Sequence, residues 1–283
     1  MDELDFHKMQ ALGNDFVIVD RRSGKLSLSP AQIQRIADRR HGVGFDQLLS
    51  LEPSGKAAVF MRVHNADGTE SGACGNGTRC VARLVMEEGG ASRVTIETSA
   101  GVLTVSAGLQ GYTVDMGAPR FGWDEIPLAA PADTLALDLA LGPLERPVAT
   151  NMGNPHAVFF VEDVEAVPIA DLGPQLEHHE IFPERANIGI AEVRDERTIR
   201  LRVWERGVGL TPACGSGACA ALVAAVRRGL ADRSADLLLD GGRLRISWEE
   251  SGRVLMTGPA THSFSGRFHP DMLDVHGPPE RRK

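Results

Sequence analysis

The chain has 283 residues, 42% of them hydrophobic, and a formal charge of −8 at pH 7. That length has room for two domains of ordinary size, each able to bury a core. The acidic balance argues against a nucleic-acid partner, which needs clustered Lys and Arg. No signal peptide or membrane-spanning stretch is visible, so no membrane partner, a cytoplasmic location and four reduced cysteines are expected.

In chain order, Phe16–Val19 reads as a strand. Ser29-Pro30 reads as an N-cap and first-turn proline for a helix to about Arg39. A strand follows at Val59–His64. Ala73-Cys74-Gly75-Asn76-Gly77 is a glycine-rich turn leading into a helix over Thr78–Glu88. Strands are expected at Val94–Thr98 and Val102–Val105, and Gly117–Pro119 reads as a break. The second half gives strands at Ala157–Val161 and Ile199–Trp204. A second turn, Ala213-Cys214-Gly215-Ser216-Gly217, leads into a helix over Ala218–Arg228, and a strand follows at Leu244–Trp248. Residues 276–283 read as a flexible tail.

The two cysteine turns belong to a longer repeat. Their offset is 214 − 74 = 140, close to half the chain. At the same offset Gly13-Asn14 falls on Gly153-Asn154, Gln47 on Asn187, and Met61–Asn65 on Leu201–Glu205. One inserted residue shifts the offset to 141, where Gly101 meets Gly242 and Gly117 meets Gly258. This order of matches implies two homologous α+β domains, each a curved sheet around a helix. The expected first domain is 1–117, and the second is 118–263.

The duplicated turn is chemically suggestive. A helix N-terminus offers unpaired N–H groups at the positive end of the dipole. Glycines let a ligand approach closely, so the turn suits a carboxylate. The same field favours a thiolate. Two equivalent thiols suit moving a proton from one face of a carbon to the other. A buried structural cysteine needs no flanking Gly-x-Gly. A zinc site formed by Cys74/Cys80 and Cys214/Cys219 has unequal spacings that turn the second thiols away, so no metal is expected. A phosphate loop lacks its Lys-Ser/Thr. Cys80 and Cys219 read as helix packing residues.

Around these turns lie side-chain amides able to donate to a carboxylate or accept from an ammonium: Asn14, Gln47, Asn65, Asn154 and Asn187. Glu205-Arg206 breaks the symmetry, since Asn65-Ala66 stands at the equivalent place. Its two charges suit a second zwitterionic group. His156 either relays a thiol proton or is a satisfied structural histidine.

Taken together, Gly-Asn-Asp-Phe at 13–16, Phe-Asp-Gln at 45–47, Asn-Ala-Asp-Gly at 65–68, Cys-Gly-Asn-Gly at 74–77, Gly-Asn-Pro-His at 153–156, Glu-Arg-Gly-Val-Gly at 205–209 and Ala-Cys-Gly-Ser-Gly-Ala-Cys at 213–219 resemble the diaminopimelate epimerase family. The resemblance spans nearly the whole chain. It implies a cofactor-independent isomerase interconverting LL- and meso-2,6-diaminopimelate for lysine and peptidoglycan precursors. It also implies Cys74 and Cys214 as the two acid/base thiols, with Cys214 the base toward the LL substrate, supported by His156 and Glu205. Asn14, Gln47, Gly75, Asn76, Gly215 and Ser216 would hold the reacting end. Asn65, Asn154, Asn187, Glu205 and Arg206 would hold the distal end. The implied fold is a pair of pseudo-symmetric domains, each a barrel-like, mostly antiparallel sheet around a central helix, with the active site in the cleft between them. A last strand, at about 264–275, would return to the first domain, and a homodimer is implied. Trp204 and Phe264 stand where relatives carry Tyr, the first expected only to alter packing, the second at a dimer contact. An epimerase of proline, hydroxyproline or histidine, a non-enzymatic amino-acid binder and a zinc-stabilised module are the rival readings. Oxidation of the thiol pair to a Cys74–Cys214 disulfide that switches the activity off is a reading the sequence leaves open.

Overall fold

A computed structural model describes residues 4–24, 27–72 and 74–274. Its first elements are β1 (Asp5–Ala11), β2 (Asn14–Asp20), α1 (Pro30–Ala37), β3 (Gln47–Glu52), β4 (Val59–Asn65), β5 (Glu70–Ser71) and α2 (Gly75–Gly89). Then come β6 (Arg93–Thr98), β7 (Gly101–Gly108), β8 (Gly111–Asp115), β9 (Ala140–Leu141), β10 (Leu144–Glu145), β11 (Val148–Asn151), β12 (Pro155–Phe160), α3 (Ile169–Glu177) and β13 (Asn187–Asp195). The rest are β14 (Thr198–Glu205), β15 (Gly209–Thr211), α4 (Gly215–Arg227), β16 (Ser234–Leu239), β17 (Gly242–Trp248), β18 (Val254–Gly258), β19 (Thr261–Arg267) and α5 (Pro270–Leu273).

Two units result. One holds the chain to Ala11, Asp15–Thr104 and the chain from Ala260; the other holds Leu12–Asn14 and Val105–Pro259. The division falls inside β7, before the Gly117–Pro119 break, because Val105–Gly108 continues a ladder with Gly111–Val114, which in turn pairs with β18. β19 pairs antiparallel with β1, Asp5 against Arg267, and brings the end of the chain back to the first unit. The tail expected at 276–283 lies outside the described residues.

The sequence repeat is visible in the register. In the first unit β2 and β3 run parallel with Phe16 against Gln47; in the second β12 and β13 run parallel with His156 against Asn187. Both partners shift by 140, since 156 − 16 and 187 − 47 are equal. β4 pairs parallel with β6, Val59 against Ile96, and β14 with β16, Ile199 against Leu237, which gives offsets of 140 and 141. Each unit is thus a mostly antiparallel sheet with two parallel pairs, an α+β fold.

The helices form for local reasons. Ser29 and Gln32 make a reciprocal capping box, and Pro30 fills the first turn of α1. Asp38 turns out of helical geometry (ψ 120°), so α1 stops at Ala37 rather than reaching Arg39. Ile33, Ile36 and Ala37 join Phe6, Val17, Leu48, Phe268 and Leu273 in the first unit's core. α4 is apolar on all sides, with Ala218 to Ala225 fully buried, as expected of a helix surrounded by its own sheet. α2 and α4 begin at Gly75 and Gly215, earlier than the expected Thr78 and Ala218. The glycine-rich turn is therefore the first helical turn, and the cysteine is the residue that caps it.

Candidate functional site

In the first unit Cys74 has extended geometry (φ −144°, ψ 105°) and caps α2. Its Sγ accepts the Gly77 amide hydrogen at 3.3 Å. A Cβ on Gly77 would lie 2.9 Å from Leu49 Cδ1, so a larger residue here would have to displace that side chain of β3. Asn76 is buried, and its Oδ1 accepts from Arg79 Nη2 at 2.8 Å. Arg79 is itself fully buried. Gln47 and Asn65 face each other across the β3–β4 ladder, where Gln47 Nε2 donates to Asn65 Oδ1 at 3.1 Å. Asn65 Nδ2 donates onward to Thr69 Oγ1 at 3.1 Å.

The second unit repeats the cap. Cys214 (φ −108°, ψ 111°) accepts the Gly217 amide hydrogen at 3.3 Å. Cys214 is 3% exposed, whereas Cys74 is half-buried. Ser216 Oγ lies 3.6 Å from Cys214 Sγ and 3.1 Å from His156 Nε2. His156 Nε2 also lies 2.9 Å from Asn154 Oδ1. One contact chain thus links Asn154, His156, Ser216 and Cys214. Asn187 Nδ2 donates to Pro155 O at 2.9 Å, and its Oδ1 accepts the Arg206 amide at 2.9 Å. The Thr211 hydroxyl donates to the Glu205 carboxyl, which is electrostatically coupled to the Cys214 thiol.

Asn14 opens β2 immediately after Gly13, whose φ is +81°. Gly153, before Asn154, has φ +98°. Both glycines occupy the left-handed region that side chains avoid, at equivalent places in the repeat. The repeat therefore sets an asparagine after the same kind of turn twice, at Asn14 and at Asn154.

Electrostatics distinguish the second thiol. Burial pushes the Cys214 thiol well up, and the Glu205 charge adds to this, while the Ser216 and Gly217 hydrogen bonds pull the other way. The helix N-terminus, expected to favour thiolate, is outweighed by desolvation. Burial also raises Glu205 above the usual carboxylate range, against the opposing hydrogen bonds from Thr211 and Cys214. His156 is held down to about 3 by burial, with Arg206 adding to the effect, so it is a neutral imidazole.

Cys80 and Cys219 are buried inside α2 and α4, away from any exposed surface. Among the described residues no group of three or more His, Cys, Asp and Glu is arranged to hold a metal ion. No described helix is long and apolar enough to cross a membrane. Sequence reasoning missed Arg79 and Glu177, both buried and both bonded to the candidate residues or their turns. Arg79 carried a usable signal, since it lies one helical turn beyond Asn76; Glu177 carried none in the repeat, where its counterpart is Ala37.

The diaminopimelate epimerase family profile matches residues 6–122 and 148–263. The diaminopimelate epimerase of Acidiphilium cryptum is 58% identical over 271 residues, covering 95% of this chain and 97% of the relative. That of Rhodospirillum centenum is 54% identical over 278 residues, covering 97% and 96%. Among solved structures, a predicted epimerase from Pseudomonas aeruginosa matches at TM-score 0.68 and 18% identity, covering 94% of this chain and 99% of that one. A hydroxyproline epimerase from Agrobacterium vitis matches at TM-score 0.65 and 14% identity, covering 94% and 92%. These two similarities concern the fold. With two capped cysteines in matching registers and relatives of this closeness along nearly its whole length, the chain belongs to the diaminopimelate epimerase family.

Proposed function

We propose that this protein is an isomerase that interconverts LL- and meso-2,6-diaminopimelate in lysine biosynthesis by a two-cysteine proton transfer at the α-carbon. One cysteine, as thiolate, removes the α-proton, and the other, as thiol, donates a proton to the opposite face. The observation that carries this reading is the matched pair of cysteines, each the N-cap of its unit's central helix. A cap of this kind brings a backbone N–H to each thiol, at a helix N-terminus whose positive end suits a carboxylate.

In this reading Asn14, Gln47, Gly75, Asn76, Gly215 and Ser216 hold the reacting end of the substrate. Asn65, Asn154, Asn187, Glu205 and Arg206 hold the distal end. Cys214 serves as base toward the LL substrate. Glu205, whose charge acts on the Cys214 thiol, would receive its proton before the thiolate acts. Glu205, raised by burial, is a better proton acceptor than a solvated carboxylate. His156, neutral, fixes Ser216 and Asn154. The carbanion is stabilised by backbone dipoles and by the exclusion of water. The domain limits read from the sequence, a cytoplasmic location and a homodimer complete the proposal. Phe264, half exposed on β19 and edge-on to Phe6, would meet the second copy.

The test is proton NMR of the reduced protein with LL-diaminopimelate in deuterium oxide and no added cofactor. Loss of the α-proton signal with appearance of the meso form supports the reading. Exchange with proline or histidine instead would overturn the distal assignments, and no exchange with any amino acid would overturn the chemistry. Light scattering tests the dimer.

A further inference from the structure

Glu177, the last residue of α3, is 3% exposed. Its Oε2 accepts the indole N–H of Trp204 at 2.8 Å, and its Oε1 accepts the Gly207 amide at 2.9 Å. The Arg185 guanidinium stands 3.7 Å from Oε1. A carboxylate is poorly placed here on two counts. The last turn of a helix is the negative end of its dipole. A buried charge is also expensive unless it is paired and hydrogen-bonded. The two hydrogen bonds and the neighbouring guanidinium offset both terms, so the site is built around this acid. Trp204, expected to differ from Tyr only in packing, supplies one of the two hydrogen bonds. Its ring reaches α3 because Gly173 has no side chain; a Cβ there would lie 2.6 Å from the indole.

These contacts hold the turn joining β14 to β15. Glu205 pairs with Gly209, and Val208 N donates to Glu205 O at 3.0 Å, which leaves Arg206 and Gly207 at the tip. Asn187 takes the Arg206 amide and Glu177 takes the next one. Two buried side chains therefore fix consecutive peptide units beneath an exposed arginine. The first unit handles its corresponding turn differently. There Asp67 takes the Thr69 amide at 2.9 Å and hydroxyl at 2.6 Å from within the turn itself. Ala37 stands at the place equivalent to Glu177, since 177 − 140 = 37. The clamp is confined to the unit that carries Arg206.

We propose that Glu177 is a positioning residue that aims Arg206 at the distal carboxylate, so that it sets the preference for an amino acid with two ionic ends. This rests on the function proposed above. In Glu177→Gln the side chain keeps its shape, but one of its two acceptors becomes a donor, so either the indole N–H or the Gly207 N–H faces another N–H. The expected result is a KM for LL-diaminopimelate raised about tenfold, the size of one stranded buried donor, with kcat within about twofold. Adding Trp204→Phe removes the indole N–H and lets the Gln oxygen turn to Gly207, and most of the lost affinity returns. Wild-type KM in Glu177→Gln overturns the proposal. So does a parallel fall of kcat, affinity and melting midpoint that Trp204→Phe does not relieve. A wild-type protein inactive on diaminopimelate is a different result; it overturns the reading of function on which the proposal stands.

Discussion

His156 Nε2 lies 3.1 Å from Ser216 Oγ, and the imidazole that makes this contact is uncharged. Burial and Arg206 hold its pKa at about 3, against 6.5 for a free histidine. Between those values the unfolded chain binds a proton that the native protein refuses, so stability rises with pH. The contribution is complete above about pH 6.5 and is lost as pH falls toward about 3. At ~1.4 kcal/mol per unit it amounts to on the order of 5 kcal/mol at most. Thermal melts between about pH 7 and pH 4 should show a falling midpoint, with a shallower fall in His156→Gln. Equal slopes would mean that the buried histidine is not the titrating group.

Replacing either capping cysteine by serine should reduce epimerisation by roughly 10³-fold, within the range for loss of an acid/base group. Serine keeps an acceptor for the Gly77 or Gly217 amide, so the melting midpoint should stay near wild type. Alanine should lose the activity and also about 1 kcal/mol of helix capping. Epimerisation rates and melts of the four variants check both parts. A serine variant with full activity would remove the two-base mechanism.

Glu205→Gln removes a charge that helps to raise the Cys214 thiol. The pKa of Cys214 should fall, while burial keeps it above that of a free cysteine. Thiolate ultraviolet absorbance across a pH titration, compared with the same substitution in a Cys214→Ser background, isolates this group. An unchanged titration would show that Glu205 does not couple to the thiol. Epimerisation should fall together with the pKa, because the acceptor for the Cys214 proton has gone.

Gly217→Ala and Gly77→Ala should differ in kind. A Cβ at Gly217 would lie 3.1 Å from Cys214 Sγ and 2.9 Å from Val203 Cγ2, so it displaces the reacting sulfur itself. At Gly77 the near atom is Leu49 Cδ1 at 2.9 Å, the end of a side chain that can shift, with Cys74 Cβ at 3.5 Å. Overpacking costs about 1–3 kcal/mol in either case. The activity loss should be larger in Gly217→Ala at a similar drop in melting midpoint. Similar activities in the two variants would count against a mechanism sensitive to the Cys214 position.

Much of this was legible in the sequence. The 140-residue offset matched Gln47 to Asn187 in the chain, and the structure pairs them with Phe16 and His156 in equivalent parallel ladders. Repeated residues expose repeated backbone registers because the side-chain alternation of a strand fixes which residues share a face. The capping role of the cysteines was less visible, since glycine is a poor helix former and its presence argued for a turn. Glu177 was hidden for two reasons. Pro174 interrupts the helical pattern of α3, and the Glu177–Trp204 bond joins residues 27 apart in the chain that no periodicity relates.

The sulfur–amide bonds at Gly77 and Gly217 tie the chemistry of this fold to its architecture. A lineage that abandoned proton transfer would still need something at 74 and 214 to close the ends of its central helices. The replacements open to it are the short oxygen-bearing residues, Ser, Thr, Asn and Asp. A silenced copy of this domain should therefore be recognisable by a hydroxyl, amide or carboxylate where the sulfur was, rather than by an arbitrary residue.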